Sequence, residues 1–344
     1  MGVSRRGAVV GLAALAAACS RPRVGAGAPA RLDLKRLDRG FPGLADRARP
    51  GIFGMGVSSL STDQSWYWNT DRLFPLQSVF KAPLAAAALA KVDAGRLSLD
   101  ERITFNELDL APPYSLIDEK WPTPPDHHTA SIPMRTLMSL AVQVSDNTAA
   151  DVLMKRIGGP RALTAWLQSK AINEMRVDRY ERELQVELEG MPSFRPAWKD
   201  EAAFIAARET IPAPQRQAAM DAYLADPRDT TTLPGALDFL TKLARGDLIS
   251  GGSTDLLMRL MGGARTGVAR LKAGLPRSAA WAHKTGSSRT DLGFTPATND
   301  IGVVTFEDGR RYAIAAFLAG STATDAERDR VFADAARLVT AAAI

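Results

Sequence analysis

A serine and a lysine stand three residues apart at the start of an Ala-rich segment, Ser78-x-x-Lys81. Strong helix formers fill residues 84–92, Pro83 is tolerated in a first turn, and Gly95 is a good stop, so the pattern predicts a helix that begins near the serine. The two side chains then share one face of a helix N-terminus, where negative charge is favoured. A nearby amine can take the proton of a serine and make it a nucleophile. The pair alone also fits an ordinary helix start with an exposed lysine.

A second group of polar residues lies between two predicted helices. Apolar spacing predicts one helix over residues 132–144, and another over residues 147–157 that is stopped by Gly158. Ser145 and Asp146 therefore stand in the elbow between the two helices. Either residue is also a good N-cap for the second helix, so the elbow fits a structural role as well as a chemical one.

Strand patterns occupy both ends of the chain. Residues 51–60 and 64–69 predict a β-hairpin with Trp66 and Trp68 packed on one face. Further strands are predicted at residues 281–287, 300–306 and 312–318, and helices at residues 31–39, ending at Gly40, and at residues 325–342. An order of strands, then helices, then strands and a closing helix predicts an α+β fold.

The same pattern predicts a division into two lobes. Residues 31–76 and 244–344 would form a lobe built on the sheet, and residues 77–243 a helical lobe. A cleft between the lobes is the natural place for a site. Residues 111–125 hold five prolines and are expected to be irregular, with Tyr114 or Trp121 as candidate walls of that cleft.

A third motif, Lys284-Thr285-Gly286, lies on a predicted strand and completes an ordered set with the first two. Together the three motifs resemble those of the class A serine β-lactamases, which belong to the penicillin-recognising serine hydrolases. The resemblance covers nearly all of the chain after its first residues. It implies an antiparallel five-stranded sheet with packed helices plus an all-helical lobe, and hydrolysis of the β-lactam amide through an acyl-enzyme on Ser78.

A glutamate distinguishes class A enzymes from their penicillin-binding relatives, which generally lack it. Glu181 follows Ser145 by 36 residues and lies in Arg179-Tyr180-Glu181-Arg182-Glu183-Leu184-Gln185, which resembles the family's Glu-x-x-Leu-Asn loop. The resemblance implies that Glu181 activates the water that frees the product. Whether Lys81, or Glu181 through a water, takes the proton of Ser78 stays open.

The resemblance also implies roles in substrate binding. The N–H groups of Ser78 and Ser287 are expected to stabilise the oxyanion, and Ser145 to give a proton to the departing nitrogen. The residues expected to contact the substrate's side-chain amide or carboxylate are Asn147, Lys284, Thr285, Gly286, Ser287 and Arg270. Arg289 is the local competitor for the place of Arg270. His283 is expected to pack beside the strand.

Three departures from the family pattern stand out. Arg179 is expected to pair with Asp229, which closes an extended loop of residues 179–229 with two helix-like pieces at residues 200–209 and 214–225. That loop is open to three interpretations: a cap on the cleft, a contact surface or a decoration. Gln185 replaces the usual asparagine and reaches one methylene further. Asp151 replaces another asparagine. Two nearby carboxylates cannot both ionise cheaply, so we expect one to hold a proton, with a raised apparent pKa for the Asp151–Glu181 pair and a weakened base at neutral pH.

The first 19 residues predict export. A charged start with a twin-arginine pair precedes a short apolar run, and Cys19 is either the lipidated first residue of the mature chain or is discarded with the signal. Residues 20–30 would then be a flexible tether. We expect a periplasmic or envelope-anchored monomer.

Composition narrows the remaining function classes. One cysteine and three histidines argue against a disulfide and against a His-rich metal site, and no cofactor is expected. The net charge of +5 comes without a long Lys/Arg run, so no nucleic-acid partner is expected. Two rivals to a β-lactamase stay open: a slow-turnover D,D-peptidase or esterase-like relative, and a non-catalytic sensor of β-lactams or peptidoglycan.

Overall fold

The computed structural model describes residues 29–111, 113–117, 130–198 and 200–344. The predicted export signal, Cys19, most of the predicted tether and Trp121 lie outside these ranges. Within them, no helix is long and apolar enough to cross a membrane.

The described elements follow the predicted order of strands, helices, strands and a closing helix, but short strands at residues 102–105, 130–133 and 230–231, which the sequence did not predict, lie within the helical part. The strands are β1 (Ile52–Ser59), β2 (Ser65–Trp68), β3 (Phe74–Pro75), β4 (Arg102–Phe105), β5 (Ala130–Pro133), β6 (Thr230–Thr231), β7 (Ala280–Ser287), β8 (Thr295–Thr305) and β9 (Arg311–Ser321). The α-helices are α1 (Leu34–Arg47), α2 (Lys81–Asp93), α3 (Met134–Ser139), α4 (Asn147–Ile157), α5 (Pro160–Ser169), α6 (Glu181–Leu188), α7 (Glu201–Glu209), α8 (Ala213–Ala225), α9 (Leu233–Arg245), α10 (Gly251–Gly262), α11 (Leu271–Gly274) and α12 (Asp325–Ala342).

Five strands form one antiparallel sheet in the order β2-β1-β9-β8-β7. Alternate residues face opposite sides, so Ile301 and Val303 pack toward the core that contains α2 and α9, whereas Val304 and Ile314 pack toward α1 and α12. The sheet is thus covered on both faces, and the predicted α+β class is confirmed. The boundaries of the two proposed lobes stay a prediction.

Helix α1 differs from its prediction. We expected it to end at Gly40, but it continues to Arg47. Phe41 is fully buried and stacks on Phe53 with ring centroids 5.3 Å apart, which holds the second half of the helix on the sheet. Gly40 does not end the helix. It lets α1 pack closely against α12, because a Cβ there would lie 2.6 Å from Leu338.

Candidate active site

The predicted nucleophile lies where a short turn runs into a buried helix. Residues 77–80 form a 3₁₀ turn that places half-buried Ser78 just before α2. Helix α2 is buried from Lys81 to Leu89, so the lysine enters the core with its ammonium surrounded by protein. Lys81 Nζ lies 2.8 Å from the carbonyl oxygen of Ser145, 2.6 Å from Asn147 Oδ1 and 2.9 Å from Glu181 Oε1. The three N–H bonds of an ammonium are thereby all matched by acceptors.

The elbow between α3 and α4 delivers the second motif. Ser145 adopts a left-handed conformation with φ of 65°, which ends the preceding helical turn. Asp146 caps α4, with Oδ1 accepting a hydrogen bond of 2.7 Å from the N–H of Ala149. Asn147 lies against Lys81, and its Nδ2 donates to the carbonyl of Pro113 at 2.6 Å. The capping role of Asp146 and the placement of Ser145 in the cleft therefore coexist.

Strand β7 brings the third motif to the same place. Lys284 is fully buried, and its Nζ donates to Ser145 Oγ at 3.0 Å and to the carbonyl of Thr285 at 2.9 Å. Burial, followed by the positive charge of Lys81, holds the pKa of Lys284 well below its usual value. Gly286 permits close approach, since a Cβ there would lie 2.6 Å from the carbonyl oxygen of Leu76 and 3.2 Å from the nitrogen of Ser78.

The two candidate arginines occupy different parts of the cleft. Arg270 donates from Nη2 to Ser287 Oγ at 2.6 Å, from Nη1 to the carbonyl of Asn299 at 2.9 Å, and forms an ion pair with Asp329 at 3.2 Å. Arg289 instead faces the extended loop, where its Nε lies 3.8 Å from Glu189. The guanidinium beside Ser287 thus belongs to Arg270.

His283 lies on the face of β7 that is turned away from Lys284. It is buried, its Nδ1 lies 2.7 Å from Asp300 Oδ1, and its ring centroid is 5.4 Å from that of Trp281. This is the packing beside the strand that its position predicts.

Glu181 connects the serine to the lysine. It is the first residue of α6 and is fully enclosed, and Ser78 Oγ donates to its Oε1 at 3.1 Å. Gln185, one turn along α6, donates to Oε2 at 3.0 Å. Burial alone would raise the pKa of the Glu181 carboxyl, but the Lys81 ammonium and these hydrogen bonds hold that pKa below its ordinary value.

Asp151 acts on the backbone of α6. Its two carboxylate oxygens accept hydrogen bonds from the N–H groups of Glu181, at 2.7 Å, and Arg182, at 3.1 Å. Burial first, and then the charge of Glu181, raise the pKa of Asp151 to about 7. The rise that we predicted for the pair is therefore found on Asp151 alone. Asp151 is thus the one carboxyl of the pair that holds a proton, whereas the pKa of Glu181 is lowered because Lys81 offsets the second carboxylate.

Part of this set lines one cleft of about 260 Å³, whereas Lys81, Glu181, Lys284 and Gly286 are not among its lining residues. Its lining includes Ser78, Ser145, Asn147, Gln185, Arg270, Thr285 and Ser287, together with Tyr114, Thr266, Glu189, Ser288 and Arg289. Tyr114 lines the cleft as the sequence suggested. Glu189 and Thr266 were missed, since neither stands in a motif. Among the described residues, no group of three or more His, Cys, Asp or Glu is placed to hold a metal ion.

The family model for the beta-lactamase enzyme family matches residues 37–343. The chain belongs to this family. It is 27% identical over 293 residues to Beta-lactamase VEB-1 of Pseudomonas aeruginosa, covering 85% of each chain. It is 29% identical over 267 residues to Extended-spectrum beta-lactamase PER-1 of the same organism, covering 77% of this chain and 73% of that one.

Solved structures agree with the family. The ancestral (GNCA) class A beta-lactamase is 34% identical, with a TM-score of 0.71, and the match covers 89% of this chain and 99% of the other. A beta-lactamase from Chitinophaga pinensis is 30% identical, with a TM-score of 0.71, covering 88% of this chain and 97% of that one. The resemblance to class A serine β-lactamases is therefore confirmed.

The extended loop of this β-lactamase closes where its sequence predicts. Arg179 Nε lies 2.6 Å from Asp229 Oδ2, and both side chains are almost fully buried. Asp229 Oδ1 also accepts hydrogen bonds from the N–H groups of Asp178 and Arg179, at 2.7 and 3.1 Å. The two helix-like pieces are α7 and α8.

Charged residues tie the extended loop to the turn that follows β7. Arg208 of α7 lies 2.5 Å from both Glu189 and Asp291, and Arg216 of α8 lies 2.7 Å from Asp291. Glu189 is thus held at the edge of the cleft. The extended loop forms a fixed side wall of the site.

Proposed function

We propose that this β-lactamase hydrolyses its substrate through an ester on Ser78, and that Glu181 activates the water that cleaves this ester. The contact that carries the proposal is the 3.1 Å hydrogen bond from Ser78 Oγ to Glu181 Oε1, with Lys81 Nζ 2.9 Å from the same oxygen. Glu181 Oε1 thus contacts both the Ser78 hydroxyl and the Lys81 ammonium.

Glu181 is also our candidate for the base that takes the proton of Ser78. Lys81 has its three N–H bonds directed at acceptors, so it lacks a free lone pair in this arrangement. The lowered pKa of Glu181 keeps its carboxylate ionised at neutral pH. Lys81 then stabilises that carboxylate and adds positive charge beside the reacting carbonyl.

The oxyanion would be held by the N–H groups of Ser78 and Ser287. Their approach depends on Gly286, whose missing side chain lets β7 lie against the turn of the nucleophile. Each such donor is worth about 3 kcal/mol of barrier. The glycine is therefore a requirement of the site's geometry.

Ser145 supplies a proton to the nitrogen that leaves. Its Oγ accepts a hydrogen bond from Lys284 at 3.0 Å, so the hydroxyl proton is directed away from the lysine and toward the cleft. As Ser78 Oγ bonds to the carbonyl carbon, the carbon–nitrogen bond breaks. Ser78 loses one proton to Glu181, and the nitrogen gains one from Ser145. The proton on Glu181 then returns to Ser145 by way of Lys81, whose Nζ lies 2.9 Å from Glu181 Oε1 and 2.8 Å from the carbonyl oxygen of Ser145. Glu181 is thus an ionised carboxylate again before deacylation, and acylation needs no co-reactant.

The substrate's remaining polar groups have partners around the cleft. Thr285, Ser287 and Arg270 line the cleft and offer two hydroxyls and a guanidinium to a carboxylate. Lys284 lies behind them and acts on the substrate through Ser145, to whose Oγ it donates. Asn147 binds the amide of the substrate's side chain. To do so, its Nδ2 gives up the hydrogen bond to the carbonyl of Pro113 and donates to the substrate instead.

Deacylation needs a water held by Glu181. Gln185 fixes Oε2 of that carboxylate and keeps its own carbonyl oxygen for a water. The water loses a proton to Glu181 as its oxygen bonds to the ester carbon. The bond to Ser78 Oγ then breaks, and the serine recovers the proton.

Time-resolved intact mass after addition of a penicillin tests the proposal. In the parent, the mass of the Ser78 adduct should appear and decay. In Glu181→Ala, we expect the adduct to persist at least 100-fold longer, because its general base is missing. Equal decay in both proteins would remove the role of Glu181, and absence of an adduct would remove that of Ser78.

We also propose that the protein is exported to the periplasm or held at the envelope by a lipid on Cys19, as a monomer. The Ser4-Arg5-Arg6 start and the Ala-Ala-Ala-Cys box support this. Labelling with a fatty acid should mark the parent and not Cys19→Ser. Light scattering of the soluble chain should give the mass of one copy.

A further inference from the structure

The extended loop reaches the residue that precedes the nucleophile. Gln77 is 1% exposed, and its Nε2 donates a hydrogen bond of 2.6 Å to Tyr223 Oη. Tyr223 belongs to α8, in the middle of the extended loop, and is 5% exposed. The two residues are 146 positions apart. A helix of the extended loop therefore bonds directly to the turn that carries Ser78.

Gln77 has an unusual backbone for its residue type. Its φ is +46°, in the left-handed region that residues with a Cβ rarely adopt. A conformation of this kind persists where the surroundings hold it. The peptide plane between Gln77 and Ser78 carries the N–H proposed to bind the oxyanion. The torsion angles of Gln77 therefore set the direction of that N–H.

Two neighbours contact Gln77. Strand β7 approaches its Cβ closely, since a Cβ at Gly286 would lie 3.0 Å from Gln77 Cβ. The end of its side chain is bonded to Tyr223. The pKa of Tyr223 is raised by burial and then by the charge of Asp229, so the hydroxyl stays protonated and able to hydrogen-bond.

Tyr223 is itself held firmly. It packs in a small core with Leu184, Leu188 and Met220, and Phe294 lies against that core. Leu184 and Leu188 belong to α6, the helix that begins with Glu181. Through Tyr223, helix α8 therefore contacts both the turn that carries Ser78 and the helix that begins with Glu181.

We propose that Tyr223 is a positioning residue, which holds Gln77 so that the N–H of Ser78 points at the developing oxyanion. The extended loop is then part of the catalytic apparatus, and neither of the looser interpretations, surface decoration or partner contact, describes α8. The inference rests on the proposed acyl-enzyme mechanism. Its effect should appear in acylation and in deacylation, because an oxyanion forms in both steps.

The test compares Tyr223→Phe with a matched control. Tyr312 on β9 is fully buried and donates its hydroxyl to the carbonyl of Arg31 at 2.8 Å, on the face of the sheet away from the cleft. Tyr312→Phe therefore removes the same hydroxyl and a similar hydrogen bond without touching the site. Steady-state hydrolysis, single-turnover acylation and the melting temperature would be measured for parent and variants.

We expect Tyr223→Phe to lower kcat about tenfold, which is about 1.4 kcal/mol of barrier, with KM changed less than about threefold. Both acylation and deacylation should slow. Tyr312→Phe should lower the melting temperature and leave kcat unchanged. A kcat for Tyr223→Phe within about twofold of the parent would overturn the inference.

Gln77→Met removes the other partner of the hydrogen bond and serves as a second test if Tyr223→Phe folds poorly. Its kcat should fall to a similar extent. The kcat of the double variant should be no lower than that of the less active single variant. Losses that multiply would show that the two residues act separately and would overturn the inference. A parent that forms no adduct on Ser78 would instead refute the acyl-enzyme mechanism, and the inference with it.

Discussion

Replacing Asp151 by asparagine should change how the stability of the protein depends on pH. The carboxylate is buried and accepts two backbone hydrogen bonds at the start of α6. Its pKa is about 7 in the folded protein, against an ordinary value of 3.8. Between these values the unfolded chain carries the ionised group while the folded protein carries the neutral one. Raising the pH across this interval therefore favours unfolding of the parent.

The size of the effect follows from the two pKa values. A difference of about 3 pH units corresponds to about 4 kcal/mol lost by the parent between pH 4 and pH 7, because each unit is worth about 1.4 kcal/mol. Asp151→Asn carries no such term. Its amide keeps one acceptor for the N–H of Glu181 but turns a donor toward Arg182, at a cost of about 1 kcal/mol. We expect the variant to be about 1 kcal/mol less stable at pH 4 and about 3 kcal/mol more stable at pH 8.

Urea unfolding from pH 4 to pH 8 measures both curves, and their difference isolates residue 151. Asp221→Asn, which changes an exposed carboxylate on α8, should give a flat difference. The pH profile of deacylation adds a second measurement: any inflection near pH 7 in the parent should vanish in Asp151→Asn. If the stability difference varies by less than about 1 kcal/mol over this range, the account of Asp151 fails.

Three further changes test the geometry of the site. Gly286→Ala should lower kcat about 100-fold, because its Cβ would meet the carbonyl of Leu76 at 2.6 Å and displace an oxyanion donor; unchanged steady-state hydrolysis would contradict this. Arg179→Met should lower the free energy of unfolding by about 3 kcal/mol in urea titrations, since Asp229 is left buried without its ion pair. A loss below about 1 kcal/mol would argue that the Arg179–Asp229 ion pair does not hold the extended loop closed. Arg270→Ala should raise KM about tenfold and change kcat less, as expected for a group that binds a substrate carboxylate; an unchanged KM would assign that task elsewhere.

The sequence predicted elements whose ends are marked locally. Helix α4 begins at Asn147 because Asp146 caps it, and α12 begins after Thr324, whose side chain and that of Glu327 cap it reciprocally. The end of helix α1 was predicted wrongly at Gly40. The glycine is needed there for a contact with Leu338, almost 300 residues away in the chain. Such contacts leave no local signal.

The same limit applies to the charges of the site. The spacing between Asn147 and Asp151 correctly indicated that Asp151 lies near Glu181. It did not reveal that Asp151 bonds to backbone N–H groups, nor that Lys81 pairs with the glutamate at 2.9 Å. The sign of a pKa shift depends on these partners, and therefore on the fold.

The extended loop shows how an insertion becomes coupled to a distant active site. Its length costs little, because closure entropy grows only slowly with the number of residues, and the bond between Arg179 and Asp229 holds its two ends together. The carbonyl of Asp229 also accepts a hydrogen bond from the N–H of Leu76 at 2.8 Å, two residues before the nucleophile. A helix that precedes Asp229 closely in the chain, as α8 does, therefore lies beside the turn of Ser78. The contact between Tyr223 and that turn follows from where the extended loop must close.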